Sequence, residues 1–338
     1  MPSAQSSTLG VFGYLPSHPD FVRVRSSGRE VRRFEEWILR GLDQARWDMS
    51  GGFSVAYPRL FHRFLFRPDN SQSTVMGLVA ASQDNHQRPF PFVAFDLISN
   101  HDWEQSPLAV LDDSQAVFTL LESLVVQLSQ LSHIGQIHGQ VVATQLPCIP
   151  HEKRADSHPD EEARFANFLQ ETTCGELGHR QTGNTLSRAG APFVCDLIAQ
   201  LGCGLDLRQI RQSILIPLCR PPFARQLELR FYLALISSLT RQNRPTLTMF
   251  WQLGGPLPGQ LLISFREPTV DAFSALIHGE GTSRGIYRPG QIPQRPHPQL
   301  GDVTDAMSLQ ELLGRIAQDG ALSGPQSLGI YAMNGPRT

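Results

Sequence analysis

Two apolar runs, Val75 to Ala81 and Phe92 to Ile98, flank a polar connector and are the clearest blocks in the chain. Each has strand length and strand composition, and neither sustains a helical period, so together they predict a β-hairpin. The connector carries Ser82, Asp84, Asn85, His86 and Arg88 and ends in Arg88-Pro89-Phe90-Pro91, side chains that favour turns and solvent over a ladder. Leu60 to Phe66, closed by Arg67-Pro68-Asp69-Asn70, predicts a strand that extends the hairpin into a meander. Upstream, Leu9 to Leu15 predicts a short strand, followed by a turn through Pro16-Ser17-His18-Pro19-Asp20-Phe21.

The helices follow from the other period. Val31, Phe34, Ile38, Leu42 and Ala45 recur at three- and four-residue steps among charged positions, the pattern of an amphipathic helix lying on a sheet. Asp112-Asp113-Ser114 reads as a helix start, with an apolar stripe of Val117, Leu121, Leu124, Val125, Leu128 and Leu131 running to about Gly135. Residues 147–190 change character: Pro, His, Gly and charge dominate, and the segment predicts a linker or insertion with one short amphipathic piece at Phe165 to Leu169. Beyond it, Phe193 to Leu201 predicts a helix, Ser213 to Leu218 a strand, and Phe223 to Arg241 a long helix apolar nearly all round. Thr246 to Gln252 and Gln260 to Phe265 predict further strands, and Val270 to His278 a core helix. Residues 281–338, rich in Gly, Pro and Arg with one weak helix near Leu309 to Ala317, predict a peripheral tail.

The expected class is therefore α+β, a largely antiparallel sheet with helices packed on its faces, built from two similar-sized halves at 9–146 and 191–280. Element order leaves open whether the halves share one sheet.

Composition narrows the partners. Hydrophobic residues make up 41% of 338, enough for a substantial core, while only 18% are charged and the net charge is -2. That balance gives no long-range field to hold nucleic acid, which is excluded as an expected partner. Lys153 is the sole lysine among 29 basic residues, so schemes needing a catalytic lysine elsewhere fail. The five cysteines form no C-x-x-C and no secretory leader pattern opens the chain, so a cytoplasmic, reducing location is expected. No apolar run approaches the ~20 residues that cross a bilayer, so direct membrane insertion is not expected.

The search for chemistry yields one motif. Gly281-Thr282-Ser283-Arg284-Gly285 fits G-x-S-x-G, the nucleophile elbow of hydrolases, which needs a strand before the serine and a helix after it. Here a predicted helix precedes, and His297, the one later histidine, comes before every later acid, which breaks the hydrolase order. His133, His138, His151, His158 and His179, with Cys148 and Cys174, show neither the C-x-x-C nor the H-x-x-x-H spacing of a zinc site. Lys153 follows Glu152 and not Gly, so there is no phosphate-binding P-loop. No metal, no cofactor and no enzymatic activity are expected.

The connector also carries a resemblance. Gly77, Ser82, Asp84, Arg88, Phe90 and Pro91, together with Gly10, Phe12, Gly13, Leu15, Pro16, Ser17, Asp20 and Phe21, resemble the signatures of the TagF/ImpM family associated with type VI secretion. Trp37, and in the second half Leu215, Pro217, Phe250 and Trp251, fit the same family pattern. Ala81 stands where the family has Pro, Gln87 and Pro19 where it has Gly, and Tyr14 where it has Lys. Some relatives carry a fused metal-dependent phosphatase, whose Asp-Gly-x-Gly pattern is missing here, where the tail offers only Gly301-Asp302. The resemblance implies a non-enzymatic accessory that restrains assembly of the secretion machine after translation, opposing activation by threonine phosphorylation and involving a forkhead-associated scaffold protein. A structural subunit of the secretion baseplate and a serine hydrolase using Ser283 are the alternatives. Asp20, Phe21, Ser82, Asp84 and Arg88 are the candidate protein-binding residues, with Arg88 either a brace to Asp84 or Asp20 or a direct contact to a partner.

Overall fold

A computed structural model describes residues 9–100, 107–147, 159–182, 190–202, 212–219, 222–239, 247–252, 259–278, 286–289 and 303–321. Its strands are β1 (Gly10–Gly13), β2 (Val22–Val24), β3 (Phe61–Phe66), β4 (Ser73–Ala80), β5 (Phe92–Ser99), β6 (Ser213–Leu218), β7 (Thr248–Trp251), β8 (Gly259–Ser264) and β9 (Ile286–Tyr287). Among the described residues they form a nine-stranded sheet in the order β2-β1-β5-β4-β3-β7-β8-β6-β9. Neighbours are antiparallel except β6 and β9. The expected hairpin is β4–β5, in register at Val79↔Val93, and β3 completes the meander. The halves share this sheet, because β3 pairs with β7 through Phe64↔Phe250.

The helices are α1 (Arg29–Met49), α2 (Phe53–Ala56), α3 (Pro107–Asp113), α4 (Gln115–Ser129), α5 (Ile134–Ala143), α6 (Pro159–Glu171), α7 (Cys174–Thr182), α8 (Gly190–Gly202), α9 (Pro222–Leu239), α10 (Val270–His278) and α11 (Leu309–Ala321). The two-residue period of the strands sorts the core into two layers. Phe64, Phe66, Val79, Phe95 and Phe250 face α1 and α10, while Leu65, Met76, Phe92, Met249 and Trp251 face the larger group of helices on the other side. α1 crosses α10 closely: a Cβ on Gly41 would lie 2.4 Å from the Phe273 Cβ, so any side chain there would push the helices apart. Trp37 is buried in the same seam and donates from Nε1 to the Thr269 carbonyl at 2.9 Å.

Three expectations change. Asp112 and Asp113 end α3 and do not start α4; Ser114 joins the two helices, its hydroxyl donating back to Leu111 O at 2.9 Å. The stripe ends at Ser129, where Gln130 and Leu131 N–H bond i−3 carbonyls in a tightened turn, and resumes as α5. Second, the described part of 147–190 is no linker. It forms α6 and α7, and Phe165, Phe168, Leu169 and Leu177 join the core. Third, the tail is not wholly peripheral, since α11 buries Leu309, Leu312 and Ile316 in that core. The two segments bind each other through Cys174 N to Met307 O (2.8 Å), Gly175 N to Asp305 O (3.0 Å) and Leu309 N to Thr172 O (3.0 Å). Local pattern could not show this, because each piece buries its apolar stripe only against a distant partner.

Candidate protein-binding surface

β1 and the β4–β5 connector meet at one corner of the sheet. Gly13 makes the meeting close: its φ is +129°, and a Cβ there would lie 2.1 Å from the Pro91 carbonyl oxygen. Ser82 stitches the corner, its Oγ donating to Tyr14 O at 2.7 Å while its own carbonyl accepts from the Tyr57 hydroxyl at 2.8 Å. Asn85 N donates to His18 O at 3.0 Å. These bonds fix the connector against the turn that follows β1.

Asp84 is the hub of the connector. Its buried carboxylate accepts the backbone N–H of His86 at 2.9 Å and of Arg88 at 2.8 Å on one oxygen, and the Arg88 Nε–H on the other. Burial pushes the Asp84 carboxyl up, but the Arg88 N–H and guanidinium and the His86 N–H outweigh it, and the group is held below the usual carboxylate range. Arg88 is raised in turn, mainly by its bond to Asp84. Gln87 sits at φ +63°, the left-handed conformation that glycine adopts freely, which accounts for the glycine that the family pattern has there.

The five candidate residues gather here with different parts. Arg88 is the brace to Asp84, and its Nη2 reaches Pro19 O at 2.8 Å; no bond joins it to Asp20. Asp20 is exposed and makes no hydrogen bond with a described residue. Phe21 is only half-buried, whereas Phe90 and Phe92 are buried. It stacks edge-on with Phe90 at 5.1 Å and Tyr14 at 5.5 Å, and Arg23 covers it at 5.1 Å. Tyr14, Phe21 and Phe90 floor a groove of about 410 Å³ whose other wall is α1.

Among the described residues no cluster of three His, Cys, Asp or Glu is placed to hold a metal ion. His133, His138 and His179 are exposed, and burial pushes the Cys174 thiol up to about 12, which leaves it protonated and inert. Ser283, Lys153, Cys148, His151 and His158 lie outside the described residues. The sequence reading missed the buried polar groups of the second half. Arg225 Nε donates to Cys219 O at 2.7 Å, and Cys219 N to Glu228 at 2.9 Å. Arg230 lies 2.6 Å from Glu162 and 3.3 Å from Asp112, with its guanidinium 4.7 Å over Phe165. The signal was present as three charges inside an otherwise apolar helix, which need buried partners.

Residues 10–143 match the family model for the TagF N-terminal domain, type VI secretion system-associated. The span opens at β1 and closes at the end of α5. Among solved structures, the crystal structure of PA0076 from Pseudomonas aeruginosa PAO1 is similar at 17% identity, covering 86% of this chain and 99% of that one, with a TM-score of 0.48. No curated protein matches the chain.

Proposed function

We propose, from the match of residues 10–143 to the TagF N-terminal domain of type VI secretion-associated proteins, that this chain is a non-enzymatic cytoplasmic regulator that restrains assembly of the secretion machine by binding a protein partner. The family match carries the reading. Two features support it. The one buried carboxylate of the connector corner is committed to its own turn, where it accepts three hydrogen bonds from His86 and Arg88. Around Ser283 the order is α10 before and β9 after, the reverse of the strand-serine-helix order that an elbow needs. Among the described residues no helix is long and apolar enough to cross a membrane.

The proposed partner is a forkhead-associated scaffold protein, and the proposed contact includes the braced turn with Asp20, Phe21 and Arg88. Arg88→Glu separates bracing from contact when capture of the scaffold protein and thermal unfolding are measured on the same variant. Lost capture at unchanged Tm assigns Arg88 to the partner. A fall in Tm that accompanies the loss assigns it to the turn, and unchanged capture at unchanged Tm removes the corner from the interface.

A further inference from the structure

Of Lys, Arg, Asp and Glu, residues 115–147 hold only Glu122, and it pairs with Arg63 of β3 at 2.7 Å. At the chain's 18% of charged residues, a stretch of that length would hold about six. The stretch builds α4, which packs on β4 and β5, and α5, which packs beside β2. Between the two helices Gln140 Nε2 donates to Gln127 Oε1 at 3.4 Å. Their inner positions, Phe118, Leu121, Leu124 and Val141 among them, lie in the core. Their outer positions meet water without a charged side chain: Val126 is 59% exposed, Ile134 55% and Val142 42%, among Thr119, Ser123 and His138.

A water-facing helix surface ordinarily carries charge, because charged side chains are the ones that stay outside. A face that combines exposed aliphatic side chains with small and amide ones has the composition of an interface core, where charge is depleted. The missing charge also selects what can cover the face. With no Lys or Arg it offers nothing to hold a phosphate of nucleic acid or of an anionic lipid, and nothing to steer a charged peptide. Its complement is another neutral, partly apolar protein face. The outer face of α1 does not supply one, since Arg29, Arg32, Glu36 and Arg40 are exposed along it. A second copy of this chain does, and a two-fold axis sets the patch against itself with no like-charge repulsion. The size suffices. Helices of 15 and 10 residues are roughly 22 Å and 15 Å long and about 10 Å wide, a footprint whose accessible surface, summed over two copies, is about 1,000 Å², where specific interfaces begin.

We infer that two copies of this chain dimerise through the outer faces of α4 and α5, burying Val126, Ile134 and Val142 at the contact. Nothing lies within 4 Å of where a Cβ on Gly135 or Gly139 would stand, so the approaching helix meets no ridge there. The inference goes beyond the restraint reading and does not depend on it.

The test measures mass. Full-length protein is followed by sedimentation velocity from about 1 to 100 μM, the range in which a small interface dissociates. Wild type should pass from one to two chain masses as concentration rises. Its dissociation constant should hold within about two-fold between low and high salt, because no charge pair is made or screened. Val126→Glu and Val142→Glu each set a charge against the neutral face of the other copy, and each should raise that constant at least about ten-fold. Their circular-dichroism spectra should match wild type, since both positions are exposed. Leu39→Glu, on the exposed side of α1, is the control and should leave the constant unchanged. A monomer throughout, a dimer that both Val variants retain, one that Leu39→Glu breaks, or one that salt dissociates would overturn the inference. So would binding of wild type to phosphatidylglycerol vesicles that the two Val variants lose, which would give the face to a lipid surface. A monomer removes the dimer and leaves restraint standing, while a dimer with no effect on secretion removes restraint alone.

Discussion

Arg88 bonds both oxygens of Asp84, its backbone N–H to Oδ1 and its guanidinium to Oδ2, so one residue closes the turn and then spans from it to Pro19. The carboxylate is buried and the guanidinium largely exposed, which makes the pair asymmetric. Removing the acid strands three donors at the turn; removing the base loses a brace whose donors can return to water. Asp84→Ala should therefore lower Tm more than Arg88→Ala. The Asp84 carboxyl is depressed in the fold, so its stabilisation is present above a pH of about 4 and is lost as pH falls through its lower folded value. Thermal unfolding of both variants across acid pH checks the order and the window.

A second prediction uses two groups, one buried and one half-buried, that titrate in opposite senses. His62, on the α1 face of β3, has neither ring nitrogen hydrogen-bonded to a described residue, and burial pushes it down to about 4. Asp112, half-buried with its Oδ1 enclosed and unpartnered, is pushed up to about 6, by burial first and by neighbouring acids against the pull of Arg230. As pH falls from about 6.5 the unfolded chain protonates His62 and the fold does not, so stability is lost, by on the order of 3 kcal/mol near pH 4. For Asp112 the sign reverses: its stability is fully present below pH about 4 and is lost as pH rises to about 6, by on the order of 2 kcal/mol. His62→Leu should flatten the acid loss, and Asp112→Asn should raise Tm at neutral pH while gaining nothing at pH 4. Urea denaturation at several pH values reads both.

The left-handed backbone gives a third. Gln87→Gly should stabilise by up to about 1 kcal/mol, because a non-glycine residue at φ +63° carries that order of strain. Gly13→Ala should do the opposite by more, since its Cβ would meet the Pro91 carbonyl. Equal and small effects at the two sites would contradict the backbone assignment.

The fourth concerns the segments that look like linker and tail. Leu312 and Phe165 are almost fully buried, so Leu312→Ala and Phe165→Ala should each cost roughly 2–5 kcal/mol, the range of a core truncation. Losses within about 0.5 kcal/mol, the surface range, would place α6 and α11 outside the core.

How far the sequence could be read follows from the range of each interaction. The β4–β5 hairpin was legible because Val75, Val79 and Val93 repeat at the pleat's own period, and α1 because Val31, Phe34 and Ile38 repeat at a helix's. Asp84 and Arg88 were legible as a pair because they are close in sequence and carry opposite charge. The rest of the corner was not: the Tyr57 hydroxyl on Ser82 and the Pro19 carbonyl under Arg88 are contacts that only the folded sheet creates. The same holds for the zipper between Cys174 and Met307, and for the union of the halves at Phe64 and Phe250, where no local pattern names the partner strand.

The central claim is restraint by stoichiometric binding, and graded expression tests it most directly. A type VI secretion substrate is measured in the medium while the protein is titrated from absence to large excess in cells with a constant amount of the secretion machine. The account predicts that secretion falls in proportion to the protein until a partner is saturated, with basal secretion raised or unchanged in its absence. Secretion that stays level across the whole range would contradict it.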